Sequence, residues 1–481
     1  MKYLLWLILI LSLTAISIAQ DKASSYFGSD CTGIGLANKV IQIYRANDTT
    51  ATGLVATDTT DSYGRWDVSL PGSGNYRIRV VAEGLFRDRF SYIKPADDLD
   101  RARYYGAKND GTGDGSTAIQ KAIDSSTTTK GDLYFPAGTY RIASSIIYKS
   151  GTSIRGAGRD KTVFKFTGTG FAFMDDSTST TTNNVHLSGF TVNCSTTADG
   201  GIRVGSSKAG YSAHDFWLSE IRVINLTKTG SIGLDVKNAS HIQVSNSQFL
   251  QAEYIGARVR ADNLNTGVIT FINSQAGGES SPRPKYAYRF ENYTPQNIQS
   301  IDVLGGYAKG DSACVYIHGT GGNGIARGIN LYGLHLEMTT AKGKLINIQG
   351  VRGLNVYGCS FYGGGSGIDS VNGIYIARTN ITDNINIFGN TVDQINGTGS
   401  AFIHVDSAGA QAINDIIYYG NTNLVTVTTE VKDFKNLLRY GYLRTGSAFP
   451  SSGSLREMFY KTLGDTLGIF NGSVWRKIPT Q

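Results

Sequence analysis

Proline, cysteine, methionine and tryptophan are scarce in this chain, at 8, 4, 4 and 4 of 481 residues. Charged residues are 17% of it, against a usual share of about 25%. Beyond the first 19 residues there is no long apolar run, which excludes a polytopic helical membrane protein. Low charge together with 40% hydrophobic residues excludes intrinsic disorder, because such a chain can bury a large core. No phosphate-binding glycine loop stands between a strand and a helix, and no His or Cys group has zinc spacing. The sequence therefore predicts no metal ligand set, no resident cofactor and no nucleic-acid partner.

What the chain has in quantity is glycine and tyrosine, 59 and 27 residues. Its net charge is 45 − 38 = +7. Lys2, the apolar run Leu4 to Ile18 and the small residues before Gln20 have the layout of a secretory signal. Residues 1–19 are expected to be removed, leaving a secreted, extracellular protein of net charge +6 with no membrane contact.

Residues 20–95 carry short alternating runs: Lys39 to Tyr44, Leu54 to Thr57, Gly64 to Val68 and Gly74 to Val81. Period-two runs broken by turns predict a small antiparallel β-sandwich. The order Asp61-Ser62-Tyr63-Gly64-Arg65-Trp66, Leu70-Pro71, Gly74-Asn75-Tyr76 resembles the transthyretin-like or carboxypeptidase-regulatory-like domains, which implies a spacer or attachment unit.

From residue 96 to 440 an apolar residue, one further residue and then Gly or Asn recur, ending at Gly189, Asn246, Asn273, Gly305, Gly333, Gly358, Gly389 and Gly420. With Glu220 as a degenerate copy, the steps are 31, 26, 27, 32, 28, 25, 31 and 31 residues. Such a period means a solenoid, and units without helical periodicity stack as parallel strands about 4.8 Å apart. Gly and Asn supply left-handed backbone at the corners. Cys194, Cys314 and Cys359 then lie at least two coils, roughly 10 Å, apart, too far for a disulfide. They are expected to be free and buried, with Cys31 isolated near the N-terminus.

The stretch Tyr105 to Gly111, Gly113 to Ile123 and Gly131 to Tyr140 closely resembles the opening of the pectate-lyase superfamily, the right-handed parallel β-helices that include polygalacturonases, glucanases, epimerases and tailspike enzymes. The resemblance implies an all-β fold in which a short helix, with Ser116 or Thr117 as its cap, closes the end of the solenoid and Pro136 to Tyr140 begins the first coil. It also makes a tailspike-like homotrimer conceivable. Residues 441–481 form a further β module with hairpins at Gly464-Asp465 and Asn471-Gly472. They resemble small terminal modules of phage tail fibres.

A second strand phrase in each coil aligns Arg203, Asp235, Arg258, Arg289, Tyr316, Asn347, Tyr375 and His404 in one outward row. A parallel row holds Gly205, Lys237, Arg260, Glu291, His318, Gln349, Ala377 and Asp406. Arg and carboxylates hold hydroxyls and uronates, and Tyr rings stack on sugar faces. The expected partner is therefore a polysaccharide, with an acidic one favoured by the positive charge. For hydrolysis, Asp235 and Glu291 are the acid and base, two rungs or about 10 Å apart. For elimination, His318 or Tyr316 is the base and Arg289 the charge stabiliser, and only then does calcium enter as a cofactor. Arg203, Arg258, Arg260, Asn347 and Tyr375 are expected to bind substrate, and the tract Gly277 to Lys285 to act as a binding loop. The polygalacturonase and pectate-lyase catalytic motifs are missing, so neither activity carries over residue by residue. A non-catalytic glycan-binding surface or fibre protein is the alternative.

Overall fold

A computed structural model describes residues 106–423, apart from short gaps at 130–131, 177–180, 207, 209, 294, 321–325, 339–341, 365–369, 378, 396–399 and 407–412, together with isolated strands on either side. The signal segment and Cys31 lie outside the described residues. The protein is all-β, 63% strand and 4% helix, and is wound as a right-handed parallel β-solenoid of about 9 turns.

One coil shows the plan. A long strand, Ala239–Ser245, ends at Asn246; a two-residue strand, Gln248–Phe249, follows; then Ile255–Ala261 leads to the next coil. The first two strands belong to a 20-stranded sheet bent at each corner, and the third to an 11-stranded sheet. We call these the first, second and third faces. Apolar residues alternate inward: Ile242, Val244, Leu331 and Val356 are wholly buried. In the first coils rings fill the interior, with Phe164 at 5.0–5.2 Å from Phe135, Phe173 and Phe190.

All nine expected corners are left-handed, from Gly189 (φ 68°) to Gly420 (φ 63°), and Glu220 adopts φ 53° in the degenerate copy. A second left-handed row, not visible in the repeat, bulges the first face. Asn184, Asp215, His241, Val268, Ser300, Gly328, Gly353 and Asn384 have φ from 53° to 78°.

The strand pairings skip these positions coil after coil, as in Ser240↔Gly267 followed by Ile242↔Ile269. Asn, Asp and Gly tolerate this region, whereas Val268, a β-branched residue, does not do so readily.

The single helix among the described residues, Ser116–Thr129, buries Ile119 and Ile123 on one face and sits at the start of the solenoid. Gln120 ties it to the edge strand by exchanging two 2.8 Å hydrogen bonds with the backbone of Ile147. The cap differs from expectation. The Asp114 carboxylate accepts from the Ser116 amide at 3.0 Å, and Ser116 Oγ instead accepts from the amides of Ala143 and Ser144. A carboxylate two residues upstream reaches the free helix amides better than a hydroxyl already engaged by the next strand.

Cys194, Cys314 and Cys359 are free and buried, and burial pushes the Cys314 and Cys359 thiols up to about 12 and about 11. Before the solenoid, strands Val40–Arg45, Leu54–Thr59, Gly74–Ala82 and Leu85–Ile93 form one antiparallel sheet, and Asp21–Tyr26 pairs with Arg65–Leu70 in another. After it, Leu443–Gly446, Met458–Lys461, Thr466–Phe470 and Trp475–Ile478 make a four-stranded sheet with two antiparallel pairings.

Candidate functional site

Parallel stacking brings residues from successive coils into register on the third face. Arg203, Asp235, Arg258, Arg289, Tyr316, Asn347, Tyr375 and His404 pair in one continuous row. Lys237, Arg260, Glu291, His318 and Gln349 form the second row. The spacing of the strand phrases thus predicted the register. It did not predict the burial: Asp235 has no exposed side-chain surface and Glu291 is 1% exposed, because neighbouring arginines lie over them.

Arg258 grips Asp235 with two bonds, Nε to Oδ1 at 2.7 Å and Nη2 to Oδ2 at 3.0 Å. Its Nη1 reaches Glu291 Oε1 at 3.5 Å, so one guanidinium stands between the two carboxylates. Arg289 holds Glu291 from the other side at 2.6 Å and donates to the Tyr254 hydroxyl at 2.8 Å. Arg203 stands 3.5 Å from Asp235 and 4.0 Å above the Phe171 ring. Arg260 pairs with Asp262 at 2.7 Å, and Lys237 lies 3.6 Å from Asp235. Five cations (Arg203, Lys237, Arg258, Arg260, Arg289) therefore face three carboxylates (Asp235, Asp262, Glu291), a surplus of two positive charges. Gly205 makes the close approach possible: its φ is +81° and a Cβ there would come 1.8 Å from the Lys237 carbonyl.

The charges set one another's protonation. Burial works against ionisation of Asp235, but Arg258, Lys237 and Arg203 overcome it and hold the carboxyl down at about 2. Burial lowers Lys237 to about 8, with Asp235 resisting and the three arginines adding to the fall. Burial raises the Tyr316 phenol to about 12, with Arg289 pulling against it.

Aromatic rings wall the strip. Tyr286 and Tyr316 stack at 5.0 Å, and the Arg289 guanidinium lies within 5.2–5.6 Å of the rings of Tyr254, Tyr286 and Tyr316. Tyr316 donates to Gln349 Oε1 at 2.8 Å, and His318 Nδ1 lies 3.2 Å from the same oxygen. His318 Nδ1 also lies 3.3 Å from the Tyr316 hydroxyl, so it donates to the amide oxygen in one tautomer, which leaves Nε2 a free lone pair, and accepts from the phenol in the other.

Seven buried side-chain polar atoms make no well-aligned hydrogen bond among the described residues, and five are on this sheet: Arg203 Nε, Arg260 Nε and Glu291 Oε1, whose contacts are the ion pairs just given, and Asn292 Oδ1 and Asn347 Oδ1. Buried polar atoms are ordinarily satisfied, so the two amide oxygens mark a place beside the charged rows where a polar ligand could bond. Tyr375 and His404 continue the row but form their own group, in which the Tyr375 hydroxyl bonds Asp406 and Lys344 lies 3.7 Å above the Tyr375 ring. Sequence reasoning assigned no role to Lys237 and Gln349, although both stood in the aligned rows, and it missed Tyr254, Tyr286 and Asp262 outright. Tyr254 and Tyr286 stand just upstream of the Ala257-Arg258-Val259 and Tyr288-Arg289-Phe290 phrases, which was the available signal. No group of three or more His, Cys, Asp or Glu side chains could hold a metal among the described residues.

Fold and strip together define a right-handed parallel β-helix with a charged, aromatic-walled face. Residues 101–299 match the family model described as rhamnogalacturonase A/epimerase, pectate lyase-like, so the chain carries a pectate-lyase-like domain. Over 166 residues it is 32% identical to the pre-neck appendage protein of Bacillus phage phi29, and equally to the preneck appendage protein of Bacillus phage PZA. The match takes in 32% of this chain and 19% of each relative, so the chain spans about a fifth of the length of the curated relatives it matches. Among solved structures, the A-module of the Azotobacter vinelandii mannuronan C-5 epimerase AlgE6 superposes with TM-score 0.51 at 14% identity, over 70% of this chain and 96% of that one. That likeness concerns the fold alone.

Proposed function

We propose that the chain acts outside the cell on an extended acidic polysaccharide lying along the third face, and that the reaction is elimination. The observation that carries this reading is the gathering of five cations on one sheet, with two buried amide oxygens, Asn292 Oδ1 and Asn347 Oδ1, unsatisfied beside them. Cations bind uronate groups, and unsatisfied oxygens accept from sugar hydroxyls.

Elimination fits the strip better than hydrolysis. A hydrolase needs a carboxylic acid that keeps its proton near working pH. Asp235, at about 2, has lost its proton, and Glu291 is clasped by Arg289 and Arg258. In elimination, His318 Nε2 takes the proton on the carbon beside the uronate carboxylate, and Arg289 stabilises the charge that builds on that carboxylate. The electron pair then forms a carbon–carbon double bond as the bond to the leaving glycosidic oxygen breaks, and that oxygen takes a proton from solvent. Asp235 and Glu291 act as anchors that hold Arg258 and Arg289 in place. The carboxylates are engaged by arginine, so no step is assigned to calcium.

The test is polygalacturonate with the whole chain, read both as absorbance of unsaturated uronate and as reducing ends, with and without a chelator. Unsaturated product lost on His318→Ala or Arg289→Ala supports the reading; reducing ends without unsaturation would make the enzyme a hydrolase. The similarity to phage appendage proteins favours a second reading, a glycan-binding surface protein without turnover. It predicts polygalacturonate binding that weakens on Arg289→Ala and no product at all.

A further inference from the structure

The second face carries a separate cluster that no resemblance or comparison assigns. Tyr307 and His335 follow one another in register on adjacent coils, and their rings stack 5.5 Å apart at 16°. Beside them runs a second row, Lys309, Glu337 and Tyr362. Lys309 is 2% exposed and contacts two carboxylates, Glu279 Oε1 at 2.5 Å and Glu337 Oε1 at 2.6 Å. The Tyr307 hydroxyl donates to Glu337 Oε2 at 2.7 Å and lies 3.2 Å from Glu279 Oε1. Burial and the two carboxylates raise the Tyr307 phenol, so it remains a neutral donor.

The placement depends on the lengthened loop. Gly277 opens it with φ +75°, where a Cβ would lie 1.8 Å from the Lys309 carbonyl. Glu279 then reaches over Lys309, Arg283 pairs with Asp311 at 3.0 Å, and the Lys285 ammonium ends 5.5 Å from the Tyr286 ring of the third face. One loop is thus anchored on both faces. On the second face, two carboxylates around one ammonium leave a surplus of one negative charge, the opposite of the third face.

We propose that this cluster is a second carbohydrate site, which takes a sugar ring free of acidic groups. Tyr307 covers one face of the His335 ring, and the other looks along the row toward Ser360, whose small side chain leaves room for a sugar ring; His335 is 41% exposed. Glu279, 74% exposed, and Glu337 present carboxylate oxygens that accept from hydroxyl or amine hydrogens. A uronate would meet the negative surplus and be repelled. The inference shares with the proposed function only the class of ligand, since it uses none of the strip's residues.

The experiment is calorimetric titration of the whole chain with cellohexaose and, separately, chitosan hexamer, in the native sequence and in His335→Ala and Tyr307→Phe. Binding of at least one oligomer, weakened about tenfold in His335→Ala, is expected, as loss of a stacking partner would give. His335 is exposed, so this variant keeps the fold, and circular dichroism confirms that. Tyr307→Phe retains the ring and should weaken binding less. No binding of either oligomer, or binding unchanged in His335→Ala, overturns the proposal. Arg289→Ala separates the two sites: it should abolish polygalacturonate binding and leave oligomer binding intact. Failure of polygalacturonate alone overturns the third-face reading, and failure of the oligomers alone overturns this one.

Discussion

The first and third faces are built on the same stacking and differ in how their outward rows satisfy themselves. On the first face Asp302, Asn330, Asn355 and Asn386 are in register, and each Asn amide donates to the oxygen of the preceding rung at 2.6, 2.7 and 2.8 Å. On the third face, arginines and carboxylates are mixed along the two rows, their bonds run along and across rungs, and oxygens such as Asn292 Oδ1 and Asn347 Oδ1 are left over. An amide carries both donor and acceptor, so identical amides at a 4.8 Å repeat close a ladder with nothing to spare. A guanidinium only donates and a carboxylate only accepts, so a mixed row closes only where geometry permits. The ladder serves the rod, and the mixed row serves a ligand.

The largest effect should come from breaking the mixed row. Glu291→Ala strands Arg258 and Arg289 without their shared carboxylate and should cost about 3–5 kcal/mol, as removal of one partner from a buried ion pair does. Denaturant unfolding of the whole chain measures it, and a loss under 1 kcal/mol would show that the pair is not buried in solution.

Acid should act on the same row. Asp235 ionises at about 2 in the folded state and near 4 in an unfolded chain, so its stabilisation is fully present above pH 4 and disappears as pH falls through 2. About 2 kcal/mol is involved, and Asp235→Asn should flatten the fall of Tm between pH 4 and 2. Asp175 has the opposite sign. Burial raises it to about 6, against the bonds it accepts from Tyr148, the Gly205 amide and Tyr211. Its contribution is present below pH 4 and lost as pH rises through 6. Tm of the native chain should therefore peak between the two windows, and Asp175→Asn should remove the decline on the neutral side.

A smaller effect is expected in the amide ladder. Asn355→Ala interrupts two ladder bonds where water can reach the freed groups and should cost about 1 kcal/mol. Polygalacturonate binding should not change; a change would mean that the first face also meets the glycan. The smallest effect concerns the bulge row. Val268 is 46% exposed at φ 56°, and Val268→Asn should stabilise by about 1 kcal/mol by relieving the left-handed strain. Thermal unfolding reads it, and destabilisation would mean that the valine side chain packs against something on that face.

The amino-acid sequence by itself determined the coil period, the left-handed corners and the two rows, because each depends on local events: a Gly or Asn where the backbone must turn, and an apolar residue every second position where it must point inward. Even the degenerate corner at Glu220 was placed by spacing alone. Other features depended on groups far apart in the chain. The bulge row has no shared residue type, running from Asn184 through Val268 to Gly353, so no pattern announced it. Tyr254 joins Arg289 across 35 residues, and Lys309 joins Glu279 across 30. Whether Asp235 is a free acid or a clasped anchor was likewise decided by tertiary structure, since protonation follows burial and the arginine of the next coil, and neither is a property of the residue or of its neighbours in sequence.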